Sequence, residues 1–427
     1  TSDAPDCTRQ SPNKKDVVKV FRDGQEVFVT KRFLTRSIRE TYGEFKAAHP
    51  ESKIGLTKFY SLRPKWVKKR PVHEECVCVC CANFSLCLTS LSNATGRFVT
   101  FGDVQKLFLC ENPSKDCFLL ECKVCSNKKH VSLAMLGVEL EDELELALWE
   151  CGGELVKKHL GATAFLNEFE KWAKKYIPHN YIRCAQRKAI WLEKAHVKSR
   201  TVILHFDFAE NWSVVIQRAV QGYHWKNKMV SIFTCVATSK LGTLSFGVVS
   251  DDICHDSAHA VFALNVIEEK LEELLPISSE LVYVSDGAPS HFKNRHQMYE
   301  FKKKTVATKW IYTASGHGKS ACDGVGGVLK HHASIYNLST TESNSITNAQ
   351  TFVDALSQKI KGITILSICQ KEITRFRKSK KKEWEKESLL KGIRSSHVWR
   401  KRKEEGSYTV ILEKVCEAPQ EPDIYHQ

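Results

Sequence analysis

The chain has 427 residues, which is enough for two to four domains with a sizeable hydrophobic core. Its 64 Lys and Arg residues exceed its 49 Asp and Glu residues, and the formal net charge of +15 favours a polyanionic partner such as nucleic acid. No run of about eighteen apolar residues occurs, so we expect neither a transmembrane helix nor a membrane partner. The 17 cysteines follow no apolar secretion signal, which favours reduced thiols or metal ligands over disulfides.

Residues 1–70 are basic, and their pattern predicts a helix-turn-helix-like DNA-binding region. One helix is predicted at Lys31–Ala48 and a second at about Leu56–Leu62. Basic side chains follow the second helix, and Arg63 and Lys65 are candidate DNA contacts. A small basic packing module is the alternative interpretation.

Residues 71–130 are rich in cysteine, and their spacing predicts a structural zinc site. Four of the cysteines form two Cys-x2-Cys pairs: Cys78, Cys81, Cys122 and Cys125. Zinc binds such paired thiolates in closed tetrahedral sites, so we expect one ion held by these four residues. Cys76 and Cys117 are alternative ligands, and buried free cysteines that pack as small apolar groups are the alternative to a metal site.

Residues 131–198 are predicted to form a helical linker. The acidic segment Glu139–Glu150 is predicted to be an amphipathic helix with a solvated face. Pro178, within Ile177–His179, is expected to break the helix, which restarts over Tyr181–Ala195.

Residues 199–338 alternate strand and helix patterns, which predicts an α/β core. Five short apolar runs read as buried strands: Thr201–Phe206, Met229–Ala237, Leu244–Val249, Leu281–Val284 and Lys309–Thr313. Helices are expected from Asp256, as N-cap, to Leu274, over Pro289–Lys304, and from Ala321 to about Tyr336. The order is three strands, helix, strand, helix, strand and helix.

Three acids follow strands of this core. Asp207 and Asp286 come after the first and fourth strands, and Asp323 comes after the glycine-rich loop that ends the fifth. Ligand sites in open α/β sheets form beyond strand ends, so the three carboxylates are expected to converge. Carboxylates are the ligands that hard divalent cations prefer, and two such ions can cleave a phosphodiester. Turn and capping roles are the alternative for each acid, and Glu210 and Glu342 are rival third ligands.

The sequence motifs around the three acids are more specific than the spacing between the acids. Five segments carry them: Asp207–Trp212 (DFAENW), Gly222–Trp225 (GYHW), Ser285–Ala288 (SDGA), Phe292–Arg295 (FKNR) and His317–Gly327 (HGKSACDGVGG). They resemble a little-studied group of eukaryotic transposon-derived DDE/DDD transposases of the ribonuclease-H-like integrase superfamily. The resemblance is good over roughly Tyr176–Tyr336 and looser in the N-terminal third. Ser320 departs from that pattern, where a glycine is usual.

The resemblance implies a ribonuclease-H-like catalytic core, with a mixed five-stranded sheet and flanking helices, after N-terminal helical and zinc-binding modules. It also implies that Asp207, Asp286 and Asp323 hold two Mg²⁺ or Mn²⁺ ions. The spacing fits the group, since 78 residues separate the first two acids and 36 the last two. His317 and Lys319 would bind DNA phosphates beside the metals or belong to a glycine loop without that role.

Residues 339–427 are predicted to form a basic C-terminal region. Lys378–Lys382 and Arg400–Lys403 are runs that bind phosphates or act as nuclear import signals, and Lys380 and Lys381 are candidate DNA contacts. A solvated basic face is the alternative. Two tryptophans in this region, Trp384 and Trp399, are candidates for stacking on bases.

The function predicted from these patterns is that of a DNA transposase or its domesticated descendant. Such a polynucleotidyl transferase, with endonuclease activity, would cut and join double-stranded DNA at transposon ends and target. A homodimer or higher oligomer on DNA and a nuclear location are expected. A catalytically inactive transposase-derived DNA-binding protein is the main alternative, and a structure-selective nuclease is a further one.

Overall fold

The computed structural model describes residues 8–11, 16–22, 25–34, 38–68, 78–126, 131–220, 228–275, 279–386, 391–404 and 407–416. The chain divides into two compact units, Thr1–Cys184 and Ala185–Gln427. The GYHW motif at 222–225 and Cys76 lie outside the described residues. Among the helices that are described, none combines the length and apolarity needed to cross a membrane.

The first unit begins with short strands as well as helices. Its elements up to residue 68 are β1 (Thr8–Gln10), β2 (Val17–Arg22), β3 (Gln25–Thr30), β4 (Arg32–Leu34), α1 (Ile38–Ala48), α2 (Leu56–Ser61) and β5 (Val67–Lys68). Strands β1, β4 and β5 form one sheet, and β2 pairs with β3 in a hairpin. The two predicted helices exist, but the first begins at Ile38 rather than Lys31. The predicted first helix is therefore wrong over Arg32–Leu34, which form β4.

The rest of this unit combines helices with a second hairpin. Its elements are α3 (Val79–Thr95), α4 (Phe101–Phe108), α5 (Lys115–Phe118), α6 (Lys123–Ser126), α7 (Leu133–Leu136), β6 (Glu143–Trp149), β7 (Leu155–Gly161) and α8 (Ala162–Ala195), whose residues after Cys184 belong to the second unit. A core that includes Phe84 of α3, Leu146 of β6 and Phe165 of α8 joins them. The unit therefore has its own hydrophobic core.

The acidic segment predicted as a helix is strand β6. Its residues alternate in burial: Leu144, Leu146 and Leu148 are buried, Glu143 and Glu145 are exposed, and Ala147 is half-buried. A period of two is the signature of a strand with one buried face, and β6 pairs antiparallel with β7. The side chain of Asn83 fastens α3 to the end of β6, donating to the Trp149 carbonyl (2.9 Å) and accepting from its N–H (2.7 Å). The prediction of a helical linker is wrong over this hairpin.

Helix α8 is continuous through Pro178, where the sequence predicted a break. Proline removes one helical hydrogen bond and crowds the preceding turn. Here Ile177 is completely buried beside Leu109, and the rings of Tyr181 and Phe118 stack at 5.0 Å. Tertiary packing of this turn offsets the local cost of the proline.

The second unit contains an eight-stranded mixed sheet with helices on both faces. Its described elements are β8 (Thr201–Ser213), β9 (Met229–Ser239), β10 (Gly242–Ser250), α9 (Ser257–Leu274), β11 (Glu280–Ser285), α10 (Arg295–Lys303), β12 (Ala307–Tyr312), α11 (Ala321–Ser339), α12 (Ala349–Leu356), β13 (Thr364–Ile368), α13 (Gln370–Trp384), β14 (Val398–Glu404) and β15 (Ser407–Glu413). The predicted order from the first strand to α11 is confirmed.

The five predicted strands form the centre of that sheet. The strand order is β13-β10-β9-β8-β11-β12-β14-β15. Strand β9 is antiparallel to β8 and β10, whereas β8, β11 and β12 are parallel. Because two parallel strands follow a three-stranded meander, β8 lies in the middle with β9 on one side and β11 on the other.

Hydrophobic cores lie on both faces of the sheet. On one face, Phe206 and Trp310 pack in a cluster with Leu264 of α9. On the other, Ile232 of β9 packs with Leu329 of α11 and with α12. Since α11 starts just after β12, its first turn is held against the sheet near the ends of the central strands.

The predicted division at residue 338 does not correspond to an edge of the sheet. Strand β13 pairs parallel with β10, and β14 pairs antiparallel with β12 and with β15. Trp399 of β14 is completely buried and packs against Trp310. The strands of the C-terminal region are therefore part of the same sheet, and Trp399 is not available to stack on bases.

Candidate active site

Asp207 and Asp286 occupy matching positions on neighbouring parallel strands. The β8–β11 ladder pairs His205 with Val284, and the two acids each lie two residues further along. Adjacent strands lie about 4.8 Å apart, so residues in register are immediate neighbours. Both acids share the face of the sheet that carries Ile203, because side chains alternate along a strand. The sheet therefore brings these two carboxylates together.

Asp323 joins them from the first turn of α11. It occupies the third position of the helix and accepts a hydrogen bond from the Ser320 N–H (2.7 Å) in a capping box. The preceding residue, Cys322, is buried and its thiol donates to the His205 carbonyl of β8 (3.0 Å). This contact holds the turn that carries Asp323 against the strand that carries Asp207.

Two glycines permit the close packing of this region. A Cβ atom at Gly326 of α11 would lie 2.8 Å from the Cβ of Ala209, closer than real Cβ contacts. A Cβ atom at Gly318 would lie 3.1 Å from the Cβ of Asp286. Gly326 thus sets the distance between α11 and β8, and Gly318 brings the loop before α11 against Asp286.

The pKa of Asp207 is shifted by its burial and by the two neighbouring acids. Burial, and then the charges of Asp286 and Asp323, raise the pKa of the Asp207 carboxyl to about 7. Three like charges near a partly buried position are costly without a cation, and a divalent ion would relieve that repulsion. Asp207 and Asp286 are half-buried and Asp323 is exposed, so the cluster is open to solvent on one side.

A buried lysine lies beside Gly287, the residue that follows Asp286. Lys293 belongs to the FKNR motif, and its Nζ lies 5.2 Å from the centroid of the Tyr312 ring. Burial lowers the pKa of Lys293 to about 8. A Cβ atom at Gly287, the residue after Asp286, would lie 3.8 Å from this Nζ. The motif was visible in the sequence, but the burial of its lysine beside Gly287 was not.

The predicted phosphate-binding residues lie on the loop next to Asp286, whereas the two rival acids lie in exposed positions. His317 is half-buried and Lys319 exposed on the loop that Gly318 brings against Asp286. The rival acid Glu210 extends into solvent with a side chain 94% exposed, and lies 3.9 Å from Lys330. Glu342 is exposed in a short turn after α11. The charges that raise the pKa of Asp207 are those of Asp286 and Asp323, not of either glutamate, which favours the three aspartates as one cluster.

Asp256, predicted as the N-cap of a helix, has that structural role. Asp256 caps α9 by accepting from the His259 N–H (2.9 Å), and α9 extends to Leu274 as predicted. Arg377 of α13 forms ion pairs with Asp256 and with Asp252 (3.0 Å). These carboxylates connect α13 to α9 and do not belong to the cluster around Asp207.

The predicted zinc ligands divide into two groups, so the expected single site is wrong. Cys122 and Cys125 lie with Cys110 and Cys117, and the four ligand atoms lie within 4.8 Å of one another. The sulfurs of Cys110 and Cys125 lie 3.4 Å apart. Four such thiols could hold a zinc ion. Cys110 was not predicted as a ligand, although it lies within the same cysteine-rich segment.

The pair Cys78 and Cys81 lies elsewhere in the first unit. Both sulfurs approach Nε2 of His179 on α8, at 3.2 and 3.4 Å. His179 was predicted only as part of a helix break. No local spacing connects it to the cysteines, because about one hundred residues intervene and the fold alone brings them together.

The predicted DNA contacts are only partly exposed. Lys65 and Lys381 are exposed. Arg63 is half-buried, with its guanidinium 5.3 Å from the Tyr60 ring. The side chain of Lys380 is only 14% exposed and pairs with Glu300 (3.0 Å), which does not favour a contact with DNA. Trp384 is buried and donates to Glu300 (2.9 Å), which also excludes it from stacking on bases.

The fold and the acid cluster thus define a mixed α/β chain with an eight-stranded sheet and three carboxylates gathered at one position on it. A family model described as a domain of unknown function (DUF8701) matches residues 186–409, about half of the chain. The chain belongs to this family. A second model, described as a domain of unknown function (DUF8699), matches residues 3–70.

Comparison with curated proteins finds no match. Among solved structures, the chain is similar to one described as "Mos1 transposase paired-end complex with left transposon end", at 11% sequence identity. The alignment covers 82% of this chain and 92% of that chain, with a TM-score of 0.27. Similarity at that level carries no argument about function.

Proposed function

We propose that this protein is a metal-dependent DNA transposase, or a domesticated descendant of one, with a ribonuclease-H-like catalytic core. The observation that carries the proposal is the gathering of Asp207, Asp286 and Asp323 from two neighbouring parallel strands and the first turn of α11. The order of strands and helices agrees with the fold that the sequence resemblance implies. The DFAENW and HGKSACDGVGG segments support the same assignment.

The residues of the cluster fit two hard divalent cations. Carboxylate oxygens are suitable ligands for Mg²⁺ or Mn²⁺, and the open side of the cluster leaves room for water and phosphate oxygens. When bound, such a metal pair activates the attacking oxygen and stabilises the leaving oxygen. Asp207 would hold a central position, because its pKa responds to both other acids.

The reaction proposed is displacement at phosphorus. In cleavage, a water oxygen bonds to the phosphorus, the bond to the leaving oxygen of the DNA strand breaks, and the water proton passes to solvent. In joining, a 3′-hydroxyl takes the place of the water. Lys319 and His317, on the loop next to Asp286, would position the phosphates, and Lys293 would offset part of the charge of the acids.

The experiment measures cleavage and joining of duplex DNA by the full chain with Mg²⁺ or Mn²⁺. Asp207→Asn and Asp286→Asn are expected to reduce cleavage by roughly 10³-fold or more, since each removes a metal ligand. Glu210→Gln is the matched control, because this exposed acid lies on the same strand. Loss of activity in the control equal to that in Asp207→Asn would contradict the assignment.

The same experiment tests the main alternative, a DNA-binding protein without catalysis. A DNA-binding protein without catalysis would bind DNA in a salt-sensitive way. It would not cleave DNA, and it would show no divalent-cation binding that depends on Asp207. The net charge of +15 supports DNA as partner under either outcome. An oligomer on DNA and a nuclear location belong to the same proposal.

For the first unit, we propose that the cluster of four cysteines holds a structural zinc ion. Its ligands are Cys110, Cys117, Cys122 and Cys125. Four protein thiolates complete a tetrahedral site, which leaves no position for a substrate. The ion would fix the short helices α5 and α6, which are too short to be stable alone.

A further inference from the structure

Cys78, Cys81 and His179 form a second group of metal-ligating side chains in the first unit. Cys78 is the N-cap of α3, and its sulfur accepts a hydrogen bond from the Cys81 N–H (3.3 Å). Nε2 of His179 lies 3.2 Å from the Cys78 sulfur and 3.4 Å from the Cys81 sulfur. One imidazole nitrogen thus faces both thiols at once.

These distances match the edges of a zinc coordination tetrahedron. With Zn–S near 2.3 Å and Zn–N near 2.0–2.1 Å, ligand atoms around one ion lie roughly 3.5–3.8 Å apart. The observed separations are close to that range, and all the ligand atoms lie within 4.8 Å of one another. A Cys-x2-Cys pair plus a histidine is also a donor set that zinc prefers.

We propose that Cys78, Cys81 and His179 bind a second zinc ion, distinct from the ion of the four-cysteine cluster. The fourth position of a tetrahedral ion is taken by water or another donor. The three proposed ligands belong to the first unit: Cys78 and Cys81 lie at the start of α3, and His179 lies within α8.

The role of this ion follows from where His179 lies. Pro178 weakens this turn of α8, and the neighbouring residues are each held by different contacts. Tyr176 stacks on Phe84 of α3 at 4.1 Å, and Ile177 is buried against the four-cysteine segment. A metal bond at His179 adds a contact between this turn and the start of α3. The two ions would therefore hold the proline turn from two directions.

The test measures the zinc content of the full-length purified protein by elemental analysis. We expect two zinc ions per chain in the wild type. His179→Ala and Cys78→Ser should each lose the second ion and keep the ion of the four-cysteine cluster. Cys122→Ser should lose the ion of the four-cysteine cluster and keep the second ion. Cys80→Ser is the matched control, because Cys80 lies between the two ligands but is not in the ligand group; it should retain two ions.

A measurement on the wild type keeps the proposal testable if the variants misfold. X-ray absorption at the zinc edge should give an average of about three sulfur ligands per ion, the mean of a four-sulfur and a two-sulfur site. One all-sulfur zinc per chain, or no zinc, would overturn the proposal. Two ions that persist in both His179→Ala and Cys78→Ser would overturn it as well.

Hydrogen exchange gives the structural readout. Loss of the second ion should speed exchange of the amides around Pro178 in α8, while exchange in the eight-stranded sheet stays unchanged. His179→Cys, which keeps a zinc ligand, should restore the second ion and slow that exchange again. Exchange around Pro178 that is equal in wild type and His179→Ala would contradict the role given to the ion.

Discussion

The three aspartates and the clustered cysteines are assembled in opposite ways. The aspartates lie far apart in the chain, yet their meeting follows from the sheet, because parallel strands in register place residues side by side. The cysteines lie close together in the chain, yet Cys78 and Cys81 join His179 whereas Cys122 and Cys125 join two other cysteines. Regular secondary structure makes distant partners predictable, and an irregular segment leaves even near partners undetermined.

The largest expected effect is on folding: loss of a ligand of the four-cysteine cluster should unfold its segment, whereas loss of an aspartate of the acid cluster should not. Cys122→Ser should unfold the segment from Cys110 to Ser126, losing several of the roughly 10–16 kcal/mol that a structural zinc ion contributes in small zinc-dependent folds. Asp286→Asn should leave this segment intact. Hydrogen exchange of both variants makes the comparison. A segment that remains protected in Cys122→Ser would remove the argument for structural zinc.

A second prediction concerns the packing that holds Asp323 near Asp207. Gly326→Ala introduces a Cβ only 2.8 Å from that of Ala209, and should reduce the free energy of unfolding by about 1–3 kcal/mol. Cleavage should fall as well, because α11 must move away from β8. Denaturant unfolding and the cleavage assay measure the two effects.

Gly327→Ala is the control for that prediction. Its added Cβ meets no atom within 4 Å, and alanine favours the helix by about 0.5–1 kcal/mol over glycine. This variant should be slightly more stable and equally active. If both alanine variants behave alike, close approach of α11 to β8 is not what positions Asp323.

A third prediction uses the pKa of Asp207, which is about 7 in the folded protein against an ordinary value of 3.8. The folded state therefore binds the proton more tightly, so its stability falls as pH rises from about 4 to about 7. Asp207→Asn removes that penalty and should stabilise the metal-free protein at about pH 8, by on the order of 1–2 kcal/mol. The gain should shrink towards about pH 4.

Added Mg²⁺ should reverse this order. It should raise the melting temperature of the wild type at about pH 8 and leave that of Asp207→Asn nearly unchanged, since binding to the folded state stabilises it. Thermal unfolding at several pH values provides both results. A metal-free Asp207→Asn protein that is less stable than wild type at about pH 8 would show that the carboxylate is a stabilising group.

The smallest expected effect distinguishes two neighbouring lysines. Lys381→Ala should weaken duplex DNA binding modestly and lower the log–log salt slope by about 0.9, the value for one phosphate contact. Lys380→Ala should leave the salt slope unchanged and lower stability, because Lys380 pairs with Glu300. Binding titrations over a range of salt concentrations measure the slopes. Equal slopes for both variants would contradict the difference in exposure.

The sequence by itself determined the central strands, the three acids and the cysteine-rich segment. Apolar runs of β-branched and aromatic residues define buried strands locally, and acids that follow them meet because parallel strands end together. The helix caps at Asp256 and Ser320 are also local, since a cap depends only on the residues within one turn.

Tertiary structure alone decided the rest. Whether Glu143–Trp149 is a strand or a helix depended on β7 and α3, which bury its leucines, although its alternation was visible. Whether α8 continued through Pro178 depended on packing from Phe118 and Leu109. The partner of Cys78 and Cys81 depended on where α8 places His179. Each of these outcomes rests on contacts between residues far apart in sequence, which override local preferences.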